Sequence, residues 1–151
     1  MRIALGADHA GVALKDRIKR ALGDRGVGYE DLGTDSDERV DYPDFARRVA
    51  EGVASGAFDC GILFCGSGIG MAIAANKISG VRAAPVSDVD TARLTREHND
   101  ANVLTLAGRT LATDTALAIV DAFLTTPFAG GRHQRRLDKI ASMEREENPT
   151  L

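Results

Sequence analysis

Residues 61–77 read GILFCGSGIGMAIAANK. Ile62, Leu63 and Phe64 form a continuous apolar run, the pattern of a strand buried on both faces, as found where helices cover both sides of a parallel sheet. Cys65 then stands at that strand's C-terminal end. Gly66, Gly68 and Gly70 carry no Cβ, so the backbone can turn sharply and approach a ligand closely before Ile69 to Asn76 start a helix. A helix start exposes unpaired N–H groups and a partial positive charge. These attract a phosphate, a carboxylate or a developing oxyanion, and they raise the thiolate fraction of a thiol placed beside them. In open α/β sheets ligands bind at this edge. The stretch therefore joins a sulfur able to act as base or nucleophile to an anion site.

Three plainer or rival readings compete with this one. A glycine-rich turn can serve packing alone, and a free cysteine is often only a small buried hydrophobe. A dinucleotide site is suggested by Asp88, twenty residues beyond Gly68, near the separation of a ribose-binding acid. The spacing opposes it, because G-x-G-x-x-G would need glycine where Met71 stands, and the first strand leads into ADHAG instead. No G-x-x-x-x-G-K-[ST] occurs, which excludes a P-loop.

Outward from this stretch, apolar runs alternate with helical patterns from end to end, the signature of parallel β-α units. Arg2 to Gly6 reads as a first strand. Leu14, Ile18 and Leu22 give a helix face that stops near Gly26, and Val27 to Leu32 is a weaker second strand. Tyr42-Pro43 starts the next helix, whose face continues through Phe45, Val49 and Val53 and which Gly56 ends before a third strand, Cys60 to Phe64. Val81 to Val86 and Val103 to Leu106 are further strands. Helices are expected over Asp88 to Glu97, with Asp88 or Ser87 as N-cap, over Thr113 to Leu124, and over His133 to Glu146. The expected fold is a single-domain, Rossmann-like three-layer α/β/α sandwich with a five-stranded parallel sheet and a C-terminal helix, spanning 1–145 with a flexible tail at 146–151.

The composition agrees with one domain. A chain of 151 residues buries roughly two-thirds of its unfolded surface, and it is too short for a cofactor domain plus a substrate domain. Its net charge of −3 gives no global attraction to nucleic acid or to an anionic membrane. The N-terminus reaches Asp8 and His9 too early for a signal-peptide core, and no run approaches a membrane span, so a cytoplasmic location is expected. Cys60 and Cys65 are five positions apart on one strand, so their side chains point to opposite faces and cannot pair. With two cysteines and three histidines and no ligand-spaced pair, no metal is expected.

Several groups are expected at the C-terminal edge of the sheet. Asp8 follows the first strand, where an aspartate often only caps the next helix; His9 beside it adds a titratable donor. Cys65 can serve as base or nucleophile, and Ser67 can pass a proton to a substrate oxygen. His98-Asn99 closes a helix, where a histidine can merely complement the negative end. Arg132 and Arg136, spaced i, i+4, can grip one phosphate together, while Arg135 points elsewhere. As a bare cluster RHQRR would be a solvated surface or a nucleic-acid patch; the acidic background disfavours the latter. Arg109, in LAGRT, is a further cation for the same anion.

Taken in order, GADHAG, DYPDFA, CGSGIGMAIAANK, REHNDAN, LAGR and GGRHQRR resemble the type B ribose-5-phosphate isomerases along nearly the whole chain. The resemblance implies interconversion of aldose and ketose sugar phosphates without metal or nucleotide cofactor. It makes Cys65 the base that moves a proton between neighbouring carbons through an enediolate, with backbone N–H groups of Gly66, Ser67, Gly68, Ile69 and Gly70 stabilising the charge. It makes His98 the acid that helps open the furanose ring and Ser67 an aid to proton movement. It sets Asp8, counted also among the catalytic residues, and Asn99 on sugar hydroxyls, Tyr42 among the substrate-binding residues, and His9, Arg109, Arg132 and Arg136 on the phosphate. It also implies a homodimer, or a tetramer of dimers, with the pocket between subunits. Some relatives use a glutamate as base, so Cys65 places the chain on the cysteine branch, and Ser67 stands where many carry threonine. Relatives that isomerise allose or galactose 6-phosphate keep a six-carbon substrate, and a non-catalytic sugar-phosphate sensor, as alternatives.

Overall fold

The computed structural model describes residues 1–150. Within them the elements follow as β1 (Ile3–Ala7), α1 (Val12–Asp24), β2 (Tyr29–Asp31), α2 (Tyr42–Ala54), β3 (Cys60–Cys65), α3 (Ile69–Ala75), β4 (Ala83–Pro85), α4 (Val89–Asn99), β5 (Val103–Ala107), α5 (Thr113–Thr125) and α6 (Arg132–Glu147). The five strands form one parallel sheet in the order β2-β1-β3-β5-β4.

Right-handed crossovers tie the direction of each step across the sheet to the face its helix covers. The steps from β1 to β2 and from β4 to β5 run one way, and those from β2 to β3 and from β3 to β4 run the other. Accordingly Leu14, Ile18 and Leu22 of α1, Ala92 of α4 and Ile119 and Phe123 of α5 share one core. Phe45, Val49 and Val53 of α2 and Met71 and Ala75 of α3 build the other. β3 feeds both, with Cys60, Ile62 and Phe64 on the first face and Leu63 and Cys65 on the second. Ile62, Leu63 and Phe64 are wholly buried, each contributing about 1.5–3 kcal/mol of apolar burial. The all-apolar run predicted this central place.

The two edge strands are shorter than expected. β2 covers Tyr29–Asp31 rather than residues 27–32, because the Val27 N–H donates to Leu22 O and closes the turn after α1. β4 covers Ala83–Pro85 rather than residues 81–86, because the Val81 N–H turns back to Ile78 O. An edge strand has one partner, so its ends are free to join turns. At the C-terminus α6 includes Glu146 and Glu147, the first two residues of the expected tail; Leu151 lies outside the described residues. Among the described residues, no helix is long and apolar enough to cross a membrane.

Sequence reasoning passed over Lys15, which is wholly buried in α1. Its ammonium donates to Asp31 Oδ1 and to Thr34 O, both at 2.6 Å, and Lys19 reaches Asp31 Oδ2 at 2.6 Å. Burial alone would push the Asp31 carboxyl up; Lys15, Lys19 and the Gly33 N–H outweigh it and hold Asp31 below its ordinary value. The pair pins the loop leaving β2 against β1, where Ala7 and Gly33–Thr34 exchange hydrogen bonds of 2.7 and 2.8 Å.

Candidate active site

From β1 the chain steps outward to β2 and then returns past β1 to β3, so the loops after β1 and β3 diverge at the C-terminal ends of these strands. Such a switch point opens a crevice. A cleft of about 460 Å³ occupies it, within the range of small-molecule sites. Asp8 from the loop after β1 and Tyr42 from the start of α2 form part of its wall. Cys65, Gly66, Ser67 and Gly70 come from the turn between β3 and α3, and Arg109 and Thr110 follow β5.

The turn is shaped around the sulfur. Gly68 has φ of 77°, a left-handed conformation that suits glycine, and its N–H donates to Cys65 Sγ at 3.2 Å. The Gly68 carbonyl accepts from the Thr105 hydroxyl of β5 at 2.7 Å. Two further bonds tie the turn to the loop after β5, from the Gly108 N–H to Cys65 O at 2.7 Å and from the Arg109 N–H to Gly66 O at 3.2 Å. The Arg109 guanidinium thereby lies against Gly66, and the Tyr42 ring lies over Gly70. Ser67 Oγ accepts from the Ile69 N–H at 3.2 Å, while the Ile69 side chain is exposed.

Asp8 acts in two ways. Its Oδ1 accepts from the Ala10 and Gly11 N–H groups at 3.0 and 3.1 Å, the capping interaction a lone aspartate would make, and the residue also lines the cleft. His9 Nδ1 accepts from the Val40 N–H at 3.3 Å, which places that ring's proton on Nε2.

A second group lies at the opposite edge of the sheet. α4 runs back from the C-terminal end of β4, so His98 and Asn99 in its last turn stand where β5 begins, not where the strands end. The expectation that all candidate groups share the C-terminal edge is therefore corrected: leading into a buried strand means lying at its N-terminal end. Arg132 and Arg136 at the start of α6 belong to this second group, because His133 between them is buried and stacks on His98 with ring centroids 4.2 Å apart. Burial pushes the His133 imidazole down, and His98, Arg132 and Arg136 push it the same way against Glu97. Asn99 faces a separate groove beside Arg82, Leu137 and Ile140. The sequence places His133 only as the start of the last helix; its burial and its stacking on His98 follow from the packing of α6 on α4.

Among the described residues, no three His, Cys, Asp or Glu side chains are grouped as a metal ion would need. Both thiols are free and lie on opposite faces of β3.

The parallel sheet, its switch-point cleft and a sulfur beside a glycine turn define an α/β domain with a small-molecule cleft lined by a thiol. Residues 3–140 match the ribose/galactose isomerase family. Ribose-5-phosphate isomerase B of Escherichia coli is 48% identical over 147 residues, which cover 97% of this chain and 99% of that protein. The solved ribose-5-phosphate isomerase B of Clostridium thermocellum is 49% identical with a TM-score of 0.96, covering 98% of this chain and all of that one. That of Mycoplasma genitalium, solved with bound ribulose-5-phosphate, is 46% identical with a TM-score of 0.92 and covers 96% and 97% of the two chains. The chain belongs to the ribose/galactose isomerase family.

Proposed function

We propose that this isomerase interconverts ribose 5-phosphate and ribulose 5-phosphate with Cys65 as the carbon base. The observation that carries the reading is the Cys65 sulfur held by the Gly68 N–H inside the switch-point cleft. Once the sugar is open, the Cys65 thiolate takes the proton from C2. The electron pair moves to the C1 carbonyl oxygen and gives a cis-enediolate, and the same proton returns at C1. Ser67 assists the hydroxyl proton in passing from O2 to O1. Backbone N–H groups of Gly66, Ser67 and Gly70 and the Arg109 cation stabilise the developing charge, while Asp8 and Tyr42 orient the sugar and His9 offers its Nε2–H to the phosphate.

His98, Asn99, Arg132 and Arg136 are not part of the lining of their own chain's cleft. In a homodimer they complete the cleft of the partner, where His98 assists ring opening, Asn99 holds a sugar hydroxyl and the two arginines take the phosphate. The grouping of three cationic or titratable side chains around the buried His133 supports a shared function for them. Such a catalyst works on a cytoplasmic metabolite and needs no cofactor.

The test follows ketose formation from ribose 5-phosphate without added metal or nucleotide, using Cys65→Ala, His98→Ala and a co-expressed mixture of the two. Each variant alone is expected to lose about 10²–10⁴-fold in turnover. The mixture recovers about a quarter of the wild-type activity, the fraction of sites that pair two intact halves in a two-fold dimer. Wild-type turnover by Cys65→Ala would remove the base assignment. Mixed dimers that form but stay inactive would remove the shared site.

A further inference from the structure

The turn that presents Cys65 is joined to the sheet by one buried hydroxyl, and we propose that Thr105 is a positioning residue for the Cys65 base. Thr105 lies in the middle of β5 and is wholly buried. On this strand Leu104 and Leu106 face the α1, α4 and α5 side, so Thr105 shares with Val103 the side covered by α2 and α3. A hydroxyl there is costly unless it is bonded. Its bond goes to the Gly68 carbonyl at 2.7 Å.

Gly68 is held from both ends. Its N–H points to Cys65 Sγ at 3.2 Å, and its carbonyl takes the Thr105 hydroxyl together with a longer bond of 3.3 Å from the Ala72 N–H. With no side chain and φ of 77°, Gly68 has little of its own to fix its peptide planes. The N–H belongs to the Ser67–Gly68 peptide and the carbonyl to the Gly68–Ile69 peptide; the Thr105 bond fixes the second plane and the Gly68 Cα on which the first one hinges, leaving the N–H only rotation about φ. The hydroxyl thus sets the aim of the one donor that holds the sulfur, without touching the substrate: Thr105 is absent from the cleft lining, where Asp8, Tyr42 and Arg109 are the titratable or charged neighbours of Cys65.

This inference rests on Cys65 being the base. Thr105→Val keeps the shape and removes the hydroxyl; Thr105→Ser keeps the hydroxyl and removes a methyl. With ribose 5-phosphate as substrate, Thr105→Val is expected to lower kcat about three- to tenfold, the worth of one ordinary hydrogen bond, and to leave KM within about twofold. Thr105→Ser restores kcat to within about twofold of wild type. Should the valine variant fail to fold, Thr105→Ala carries the same expectation. Wild-type kcat in a folded variant without the hydroxyl overturns the proposal, and so does a serine variant as impaired as the valine one, which would make the effect one of packing. Full turnover by Cys65→Ala removes instead the base reading beneath it, so the two failures are distinguishable.

Discussion

Cys60 and Cys65 open and close the same six-residue strand, and both are buried, at 8% and 4% exposure. Burial therefore does not separate them. Cys60 lies at the N-terminal end, where the returning helices end; it packs in the core shared by α4 and α5, with Arg96 and Phe123 beside it. Burial pushes its thiol up to about 11, and Asp59 adds to this against the Arg96 charge. Cys65 lies at the C-terminal end, where helices begin, receives a backbone N–H and opens on the cleft. Helices that directly follow a strand of a parallel sheet start at one edge, so the two ends of the strand give their thiols different surroundings.

The largest effect expected from this difference is in alkylation. At about pH 8, a thiol titrating near 11 is ionised to only ~10⁻³. Iodoacetamide followed by peptide mass mapping should modify Cys65 at least about a hundred times faster than Cys60, and ribose 5-phosphate should protect Cys65. Faster labelling of Cys60 would break the comparison.

The strand and its two ends were legible because β3 carries an all-apolar run followed by glycines, a pattern whose physics is local. The order of the sheet's edges was less so: Val27 and Val81 read as strand residues, but hydrogen bonds to Leu22 and Ile78 draw them into turns. Of the cleft residues, Asp8, Tyr42, Cys65, Gly66, Ser67, Gly70 and Arg109 were named from sequence and Thr110 was not. Their division from His98, Asn99, Arg132 and Arg136 was not, because the direction of α4 across the sheet appears only once the strands are ordered. Lys15 and Thr105 escaped for a related reason. A polar residue within an apolar stretch shows no sign in periodicity of the distant carboxylate or carbonyl that satisfies it, here Asp31 and Gly68.

Stability at alkaline pH sharpens the same contrast by a smaller amount. Cys60 is neutral in the fold up to about 11, whereas in the unfolded chain it ionises from its ordinary value of 9.0. The contribution is intact below the unfolded value and is lost as pH rises between the two. By about pH 10.5 it amounts to about 2 kcal/mol. Urea unfolding of wild type and Cys60→Ala should therefore show a stability difference that is steady near neutrality and shifts by about that amount in favour of the alanine variant. A difference independent of pH would mean that the Cys60 environment is less apolar than the packing indicates. Turnover of Cys60→Ala should stay at the wild-type level throughout.

The smallest expected difference in stability, with the clearest consequence for activity, is between the glycines flanking the strand. Gly56 before β3 and Gly68 after it have nearly the same backbone, φ of 79° and 77°. Alanine in this region costs about 1–2 kcal/mol at either position. A side chain at Gly56 would meet open space, whereas one at Gly68 would sit 3.1 Å from the Leu106 carbonyl carbon. Gly56→Ala should lower the urea midpoint and leave kcat unchanged. Gly68→Ala should lower the midpoint further and reduce kcat as well, because its backbone holds both the Cys65 sulfur and the Thr105 hydroxyl. Equal kcat in the two variants would show that the turn's geometry is not what distinguishes the reactive end of the strand from the inert one.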